Sequence, residues 1–215
     1  MRTPTTILPF AAIAVIVGCS RSGIKGDGSQ TTTNRLVGDF SALEVKGAYQ
    51  IKWSSGKPAL TISTDQNLLP LITTIVTGNT LQIDWKENLR PTKGITLDIS
   101  SSSLTDVRMH GAVSLTASKL SGDDLKLESN GASSIRVDGS VTNLEAELSG
   151  AGTLNAKSLQ TQTAKVSLSG ACYADVTVSE KLDASISGAG VLTYGGNPKS
   201  VEKNVGGVGR IQPRQ

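Results

Sequence analysis

Aromatic side chains are scarce in this sequence: two Trp, three Tyr and two Phe make up 3% of 215 residues. It also has one histidine, two cysteines and no block of like charge. Each shortage closes off some chemistry. With few rings for bases to stack on and a formal charge of +3 spread along the chain, nucleic acid is not an expected partner. His110 stands alone, so a histidine metal cluster is excluded and any Ser–His–Asp triad would depend on it; it reads as a solvated corner residue. No metal or cofactor is expected. What is abundant is glycine, 23 residues, with Ser, Thr, Val, Leu and Ala. Small aliphatic side chains suit a narrow core laid down in regular layers.

The only apolar run near the N-terminus, residues 7–17, is broken by Pro9 and too short to span a bilayer. Preceded by Arg2, it fits a signal peptide over residues 1–18. It ends in IVGC, 16–19, which resembles the bacterial lipobox, in which the cysteine is acylated and becomes the mature first residue. Cys19 is therefore the expected lipid attachment point and the protein's link to a membrane. A lipidated Cys19 leaves Cys172 without an intramolecular partner, so no disulfide supports the fold, and Cys172 reads as a small buried thiol. Residues 19–33, the Cys followed by SRSGIKGDGSQTTT, lack periodicity and read as a flexible tether. The folded domain is then expected over 34–215.

Within it one phrase recurs. Indexed on the glycine of each copy, it falls at Gly111, Gly131, Gly150, Gly170, Gly188 and Gly207, a nearly constant step. Four residues before them stand Val107, Leu127, Ala146, Val166, Ala184 and, out of pattern, Lys203. Two before stand Met109, Ser129, Leu148, Leu168, Ile186 and Val205; four after stand Leu115, Ile135, Leu154, Ala174, Leu192 and Ile211. Apolar spacing of two on either side of a glycine means short strands joined at a bend, and a helical spacing fits nowhere. A period of about 19 residues means repeated architecture. The expected fold is all-β, a single-stranded β-helix (β-solenoid) with coils of about 19 residues and these glycines at its corners. VKGAYQIKW, 45–53, fits the same template on Gly47. Between it and the regular copies, the sequence predicts a strand at 59–64, a turn or short helix at DQNLLPLI, a hairpin turning at Gly78-Asn79, and a strand in GITLDIS.

Five residues before each glycine, Asp106, Lys126, Glu145, Lys165, Asp183 and Glu202 form an outward column whose first five members alternate in sign. Stacked coils would pair them, which makes the column a register device.

As a set, VKGAYQIKW, DQNLLPLI followed by NTLQIDW, the phrases at 149–152, 169–172 and 187–190, and the ending GVLTYGGNP…VGGVGRI resemble the bacterial GIN-domain family. That resemblance covers about residues 36–211. It implies a β-helical head like those of autotransporter adhesins, often behind a lipoprotein signal, and little about activity. His110 and Asn130 before their glycines, Cys172 in place of the second Gly, and Gly206-Gly207 depart from the pattern.

Catalytic constellations are thin. GAG at 150–152 and 188–190 is followed by further alternation and not by the helix of a nucleotide site. Asp123-Asp124 reads as a turn, Trp53 and Trp85 as core or coil-end caps, and Tyr194 as a closing residue. The expected function is a non-catalytic, lipid-anchored envelope protein, located at the outer membrane, presenting a β-helical surface for adhesion or assembly. Its ligand is left open between glycan and protein, and homo-oligomerisation is also open. The competing reading is a β-helical carbohydrate-active enzyme, for which Arg136, Asp138 and Asp175 would have to gather in one cleft.

Overall fold

Extended segments separated by glycine bends dominate the computed structural model, which describes residues 23–215. In chain order the strands are β1 (Ile24–Lys25), β2 (Gln30–Arg35), β3 (Ala42–Ser55), β4 (Ala59–Asp65), β5 (Ile72–Thr77), β6 (Thr80–Trp85) and β7 (Leu89–Arg90). They continue as β8 (Thr96–Ser101), β9 (Asp106–Gly170), β10 (Tyr173–Gly188), β11 (Val191–Gly195), β12 (Ser200–Gly207) and β13 (Arg210–Pro213). One 3-10 turn, Leu69–Leu71, follows the DQN segment, and no α-helix occurs among the described residues. The fold is all-β.

From β9 onward the chain returns beside itself in parallel. Tyr173 pairs with Thr153, Asp183 with Lys165, and Gly188 with Gly170; β12 then pairs with β10, Lys181 opposite Ser200 through Gly188 opposite Gly207. β11 and β13 close the series, Leu192 opposite Ile211. These near-constant offsets place each apolar column in register. Val107, Leu127, Ala146, Val166 and Ala184 are all fully buried, as are Leu115, Ile135, Leu154, Ala174 and Leu192 to within 1%. Each buried Val, Leu or Ile contributes about 1.5–3 kcal/mol relative to exposure. Ser129 sits in the Met109–Leu148 column, also buried at 2% exposure.

The N-terminal half departs from the uniform winding expected of a single-stranded β-helix over 34–215: the sheet is mixed and not closed. β3 pairs in parallel with β9, Gly47 opposite Gly111, although β4 through β8 intervene in sequence. On its other side it pairs in parallel with β6 (Leu43 with Leu81, Val45 with Ile83) and with β8 (Ile51 with Leu97, Trp53 with Ile99). The layer made by residues 80–101 therefore lies outside β3, although it follows β3 in sequence. Antiparallel strands cover that layer: β4 on β8, β2 on β4 and β5 on β6. For β5 and β6 the reason is local. The two-residue turn at Gly78-Asn79, with Gly78 at φ +59, can only return the chain antiparallel.

The tether expected over 19–33 is corrected from residue 23 onward. β1 pairs with β7, and β2 pairs with β4 from Gln30 opposite Asp65 to Arg35 opposite Leu60. Asp65, with no exposed surface, holds this region together. Its carboxylate accepts hydrogen bonds from Gly28 N (3.0 Å), the Gln30 amide (2.9 Å), Thr92 N (2.8 Å) and the Thr92 hydroxyl (2.6 Å). Those bonds, led by the Thr92 hydroxyl, hold the carboxyl below its usual range. The signal segment 1–18 and Cys19 lie outside the described residues.

Candidate functional site

The corner glycines build one continuous edge. Gly47, Gly111, Gly131, Gly150, Gly170, Gly188 and Gly207 all have φ between +101 and +136. Each after the first packs against the carbonyl of its predecessor: a Cβ on Gly188 would lie 2.7 Å from Gly170 O, and one on Gly207 2.6 Å from Gly188 O. Only a residue without Cβ can occupy such a position. Beside this edge runs a stripe of exposed small residues, Ala48, Ala112, Ala132, Ala151, Ala171 and Ala189. Its N-terminal part forms the floor of a shallow depression of about 450 Å³ with Ser114 and Ser134.

A second concavity, of about 480 Å³, crosses four successive copies. Its walls come from residues two apart on each copy, Asp124 and Lys126, Asn143 and Glu145, Thr163 and Lys165, Lys181 and Asp183, with Leu125, Leu144 and Ala164 between them. Alternation turns both members of each pair outward and the residue between them toward the core. The side chains are linked from copy to copy. Thr163 Oγ1 donates to Asn143 Oδ1 at 2.7 Å, and Asn143 Nδ2 to Asp124 Oδ1 at 2.8 Å. Lys165 Nζ meets Glu145 Oε1 at 3.0 Å. The outward charge column is thus partly paired in space. Its last step is the exception, since Asp183 stands opposite Glu202, and Lys181 offsets this by an ion pair with Glu202 at 2.8 Å.

The electrostatics follow from those pairs. The hydrogen bond from Lys165 holds Glu145 below its usual carboxylate range and raises Lys165 in return; Lys181 is raised by Glu202. Glu44, bonded to Lys46, shifts downward too. A general acid working near neutrality needs the opposite shift. The ladder is suited to fixed, charge-assisted recognition.

The other candidates are scattered. Asp138 accepts from Lys119 N at 2.8 Å, Asp175 is paired with Arg214, and Arg136 is exposed. None of the three lines either concavity. His110 lies opposite Lys46 on β3 and is partly exposed. Asp123 and Asp124 do not form a turn; the chain bends at Gly122 (φ +144) and both acids continue as exposed strand. Cys172 is buried at 4% exposure, its Sγ 3.6–3.7 Å from the carbonyls of Ser169, Leu148 and Gly150. Trp53 is core, donating from Nε1 to Ser101 Oγ at 2.9 Å, and Trp85 packs on Tyr49 with ring centroids 5.8 Å apart. Tyr194 is half-buried beneath Lys203, whose Nζ is 5.1 Å from the ring centre.

Sequence reasoning overlooked the alanine stripe, although SGA repeats spell it out. It also missed Arg214, which fastens the C-terminus by donating to Asp175, to Val176 O (3.0 Å) and to Thr177 Oγ1 (3.2 Å). A lone arginine at a chain end carries no pattern.

Comparisons with known proteins agree on architecture. Residues 39–198 match the family described as "Putative auto-transporter adhesin, head GIN domain". A putative adhesin from Bacteroides fragilis superposes with a TM-score of 0.75 at 21% identity, over 89% of this chain and 100% of that one. A putative adhesin from Parabacteroides merdae gives 0.53 at 18%, covering 90% and 99%. A structure described as a putative lipid binding protein from Parabacteroides distasonis gives 0.51 at 20%, covering 90% and 100%. No curated protein matches the chain.

Proposed function

Since the chain belongs to the GIN-domain family of putative autotransporter-adhesin heads, we propose that it is a non-catalytic envelope protein, anchored through an acylated Cys19. In this reading its C-terminal half, from β9 onward, is a β-solenoid whose coils follow the glycine repeat, held at the outer membrane. The solenoid presents its side faces to a glycan or a protein for adhesion or assembly. The observation that carries the reading is the four-copy concavity. Side chains already fixed by the Asp124–Asn143–Thr163 and Glu145–Lys165 contacts lose little freedom on binding, which favours recognition of an extended ligand. The IVGC junction supports the anchor.

Two experiments test it. Cys19→Ala should abolish incorporation of labelled fatty acid, and labelling that persists would remove the anchor. Incubated with intact envelopes, the soluble 20–215 fragment should retain a ligand that is lost when Lys126 and Lys165 are both changed to Glu. Retention unaffected by that change would place recognition elsewhere.

A further inference from the structure

The parallel pairing of β1 with β7 sets Ile24 beside Leu89 and Lys25 beside Arg90. Lys86 leaves β6 just before this pair, and Lys93 follows it. The two segments 23–30 and 86–93 together carry four basic side chains, Lys25, Lys86, Arg90 and Lys93, against two acids, Asp27 and Glu87. The rest of the described chain carries 15 basic and 16 acidic side chains. The positive surplus of the domain is therefore gathered here. Lys25, Lys86 and Lys93 are exposed. None of the three forms an ion pair among the described residues, a condition they share with Lys52, Lys57, Lys119, Lys126, Lys157 and Lys203, while Lys46, Lys165, Lys181 and Lys199 are paired. Of the two acids, Asp27 is occupied within its own loop, accepting from Ser29 N at 2.9 Å.

This basic face is also rigid. Ile24 N donates to Asn88 O at 2.8 Å and Gly26 N to Arg90 O at 3.0 Å, and the enclosed Asp65 carboxylate ties both segments to β4. Gly23 is four residues after Cys19, a reach of about 14 Å at full extension. A domain tied that closely to an acyl anchor keeps this face within about one or two Debye lengths of the lipid surface at physiological salt.

We propose that the face formed by Lys25, Lys86, Arg90 and Lys93 binds anionic lipid headgroups, so that the domain stands on the bilayer by its N-terminal end. The inference rests on the reading of Cys19 as acylated. The phosphates of the leaflet take the role that carboxylates play for the paired lysines elsewhere. Juxtamembrane basic residues are attracted in this way to negatively charged leaflets.

The test uses the full acylated protein reconstituted into vesicles of phosphatidylcholine alone or of phosphatidylcholine mixed with phosphatidylglycerol. Amine-reactive labelling is then read residue by residue by mass spectrometry. On the anionic vesicles Lys25, Lys86 and Lys93 should react about fivefold more slowly than on the neutral ones, and high salt should erase the difference. Lys126, Lys157 and Lys203 should react equally on both. Equal labelling of the N-terminal lysines on the two vesicle types, by protein that floats with both, overturns the lipid-contact face and leaves the anchor standing. A chain whose intact mass carries no acyl group and that floats with neither overturns both.

Discussion

Three glycine-to-alanine substitutions separate the conformational cost of a corner from the cost of stacking it. Gly206 lacks a positive φ, and an added Cβ would come no closer than 3.7 Å, to Ile186 O. There Ala should be neutral or stabilise by about 0.4–1 kcal/mol, through the lost freedom of the unfolded chain. Gly122 has φ +144 but open space around it, so Gly122→Ala should cost about 1–3 kcal/mol from backbone strain alone. Gly150 combines φ +102 with a Cβ position 2.6 Å from Gly131 O. Ordinary contact would require one strand to withdraw by most of an ångström. Relief is blocked on the far side, because Gly170 stacks on Gly150 and Ala171 N donates to Gly150 O at 2.9 Å. Overpacking adds about 1–3 kcal/mol, for a total of about 2–6 kcal/mol at Gly150. The assay is urea unfolding followed by far-UV circular dichroism, with midpoints compared at constant m. Gly150→Ala as stable as Gly122→Ala would refute the stacked edge as the source of the cost.

Lys165→Glu places an acid beside Glu145 and opposite Asp183, so stability should fall at low ionic strength and recover in high salt as the exposed charges are screened. Adding Glu145→Lys should restore only part of the loss, because Lys126 then faces a like charge; a strictly additive double-mutant cycle would show that 145 and 165 are not neighbours. Asp65 gives a pH dependence of definite sign. Because its folded pKa is lowered, its stabilisation is present above the unfolded value of about 3.9 and is lost as pH falls below it. Hydrogen exchange at Gly28 and Thr92, corrected for intrinsic rates, should therefore speed up on acidification in the wild type and be fast at every pH in Asp65→Asn. Unchanged protection at acid pH would mean that the carboxylate does not hold the segment.

Much of the stack was legible because its inward columns obey a period of two and its copies a second, longer one. Leu127, Val166 and Leu154 needed no further information to be placed in the core. The β5–β6 hairpin was announced by Gly78-Asn79. The N-terminal layers were not legible, for two physical reasons. In β2 the sequence QTTTNR has no apolar alternation; it forms a strand by backbone pairing at a sheet edge, where threonine propensity is the only local signal. The bonds that fix residues 23–30 join Asp65 to partners 27–37 positions away, and no periodicity reports a contact of that range. The placement of residues 80–101 outside β3 is likewise a decision of tertiary packing: both flanks of β3 offer identical backbone partners, and sequence order does not say which is filled first. At the candidate site the charge column could be read from the sequence. The Asp124–Asn143–Thr163 chain could not, because polar residues two places from that column look like any solvated face.

Lys203 sits in the outermost layer of the parallel stack. It occupies the position that Leu43, Val107, Leu127, Ala146, Val166 and Ala184 fill with buried hydrocarbon, and its amine lies over Tyr194 and donates to Ile211 O at 3.4 Å. Any further strand laid on β12 would have to bury that cation against hydrocarbon, an expensive step. Parallel stacking of self-similar layers is the geometry of fibril growth, in which each added layer presents the same template to the next. A cation in the last template removes the reward for continuing. Cleavage before Ser200 would instead expose β10, with Leu182, Ala184 and Ile186 as a clean apolar edge. Lys203 thus acts on the face of β12 as a chain terminator does in polymer growth, making that face a poor template for another copy.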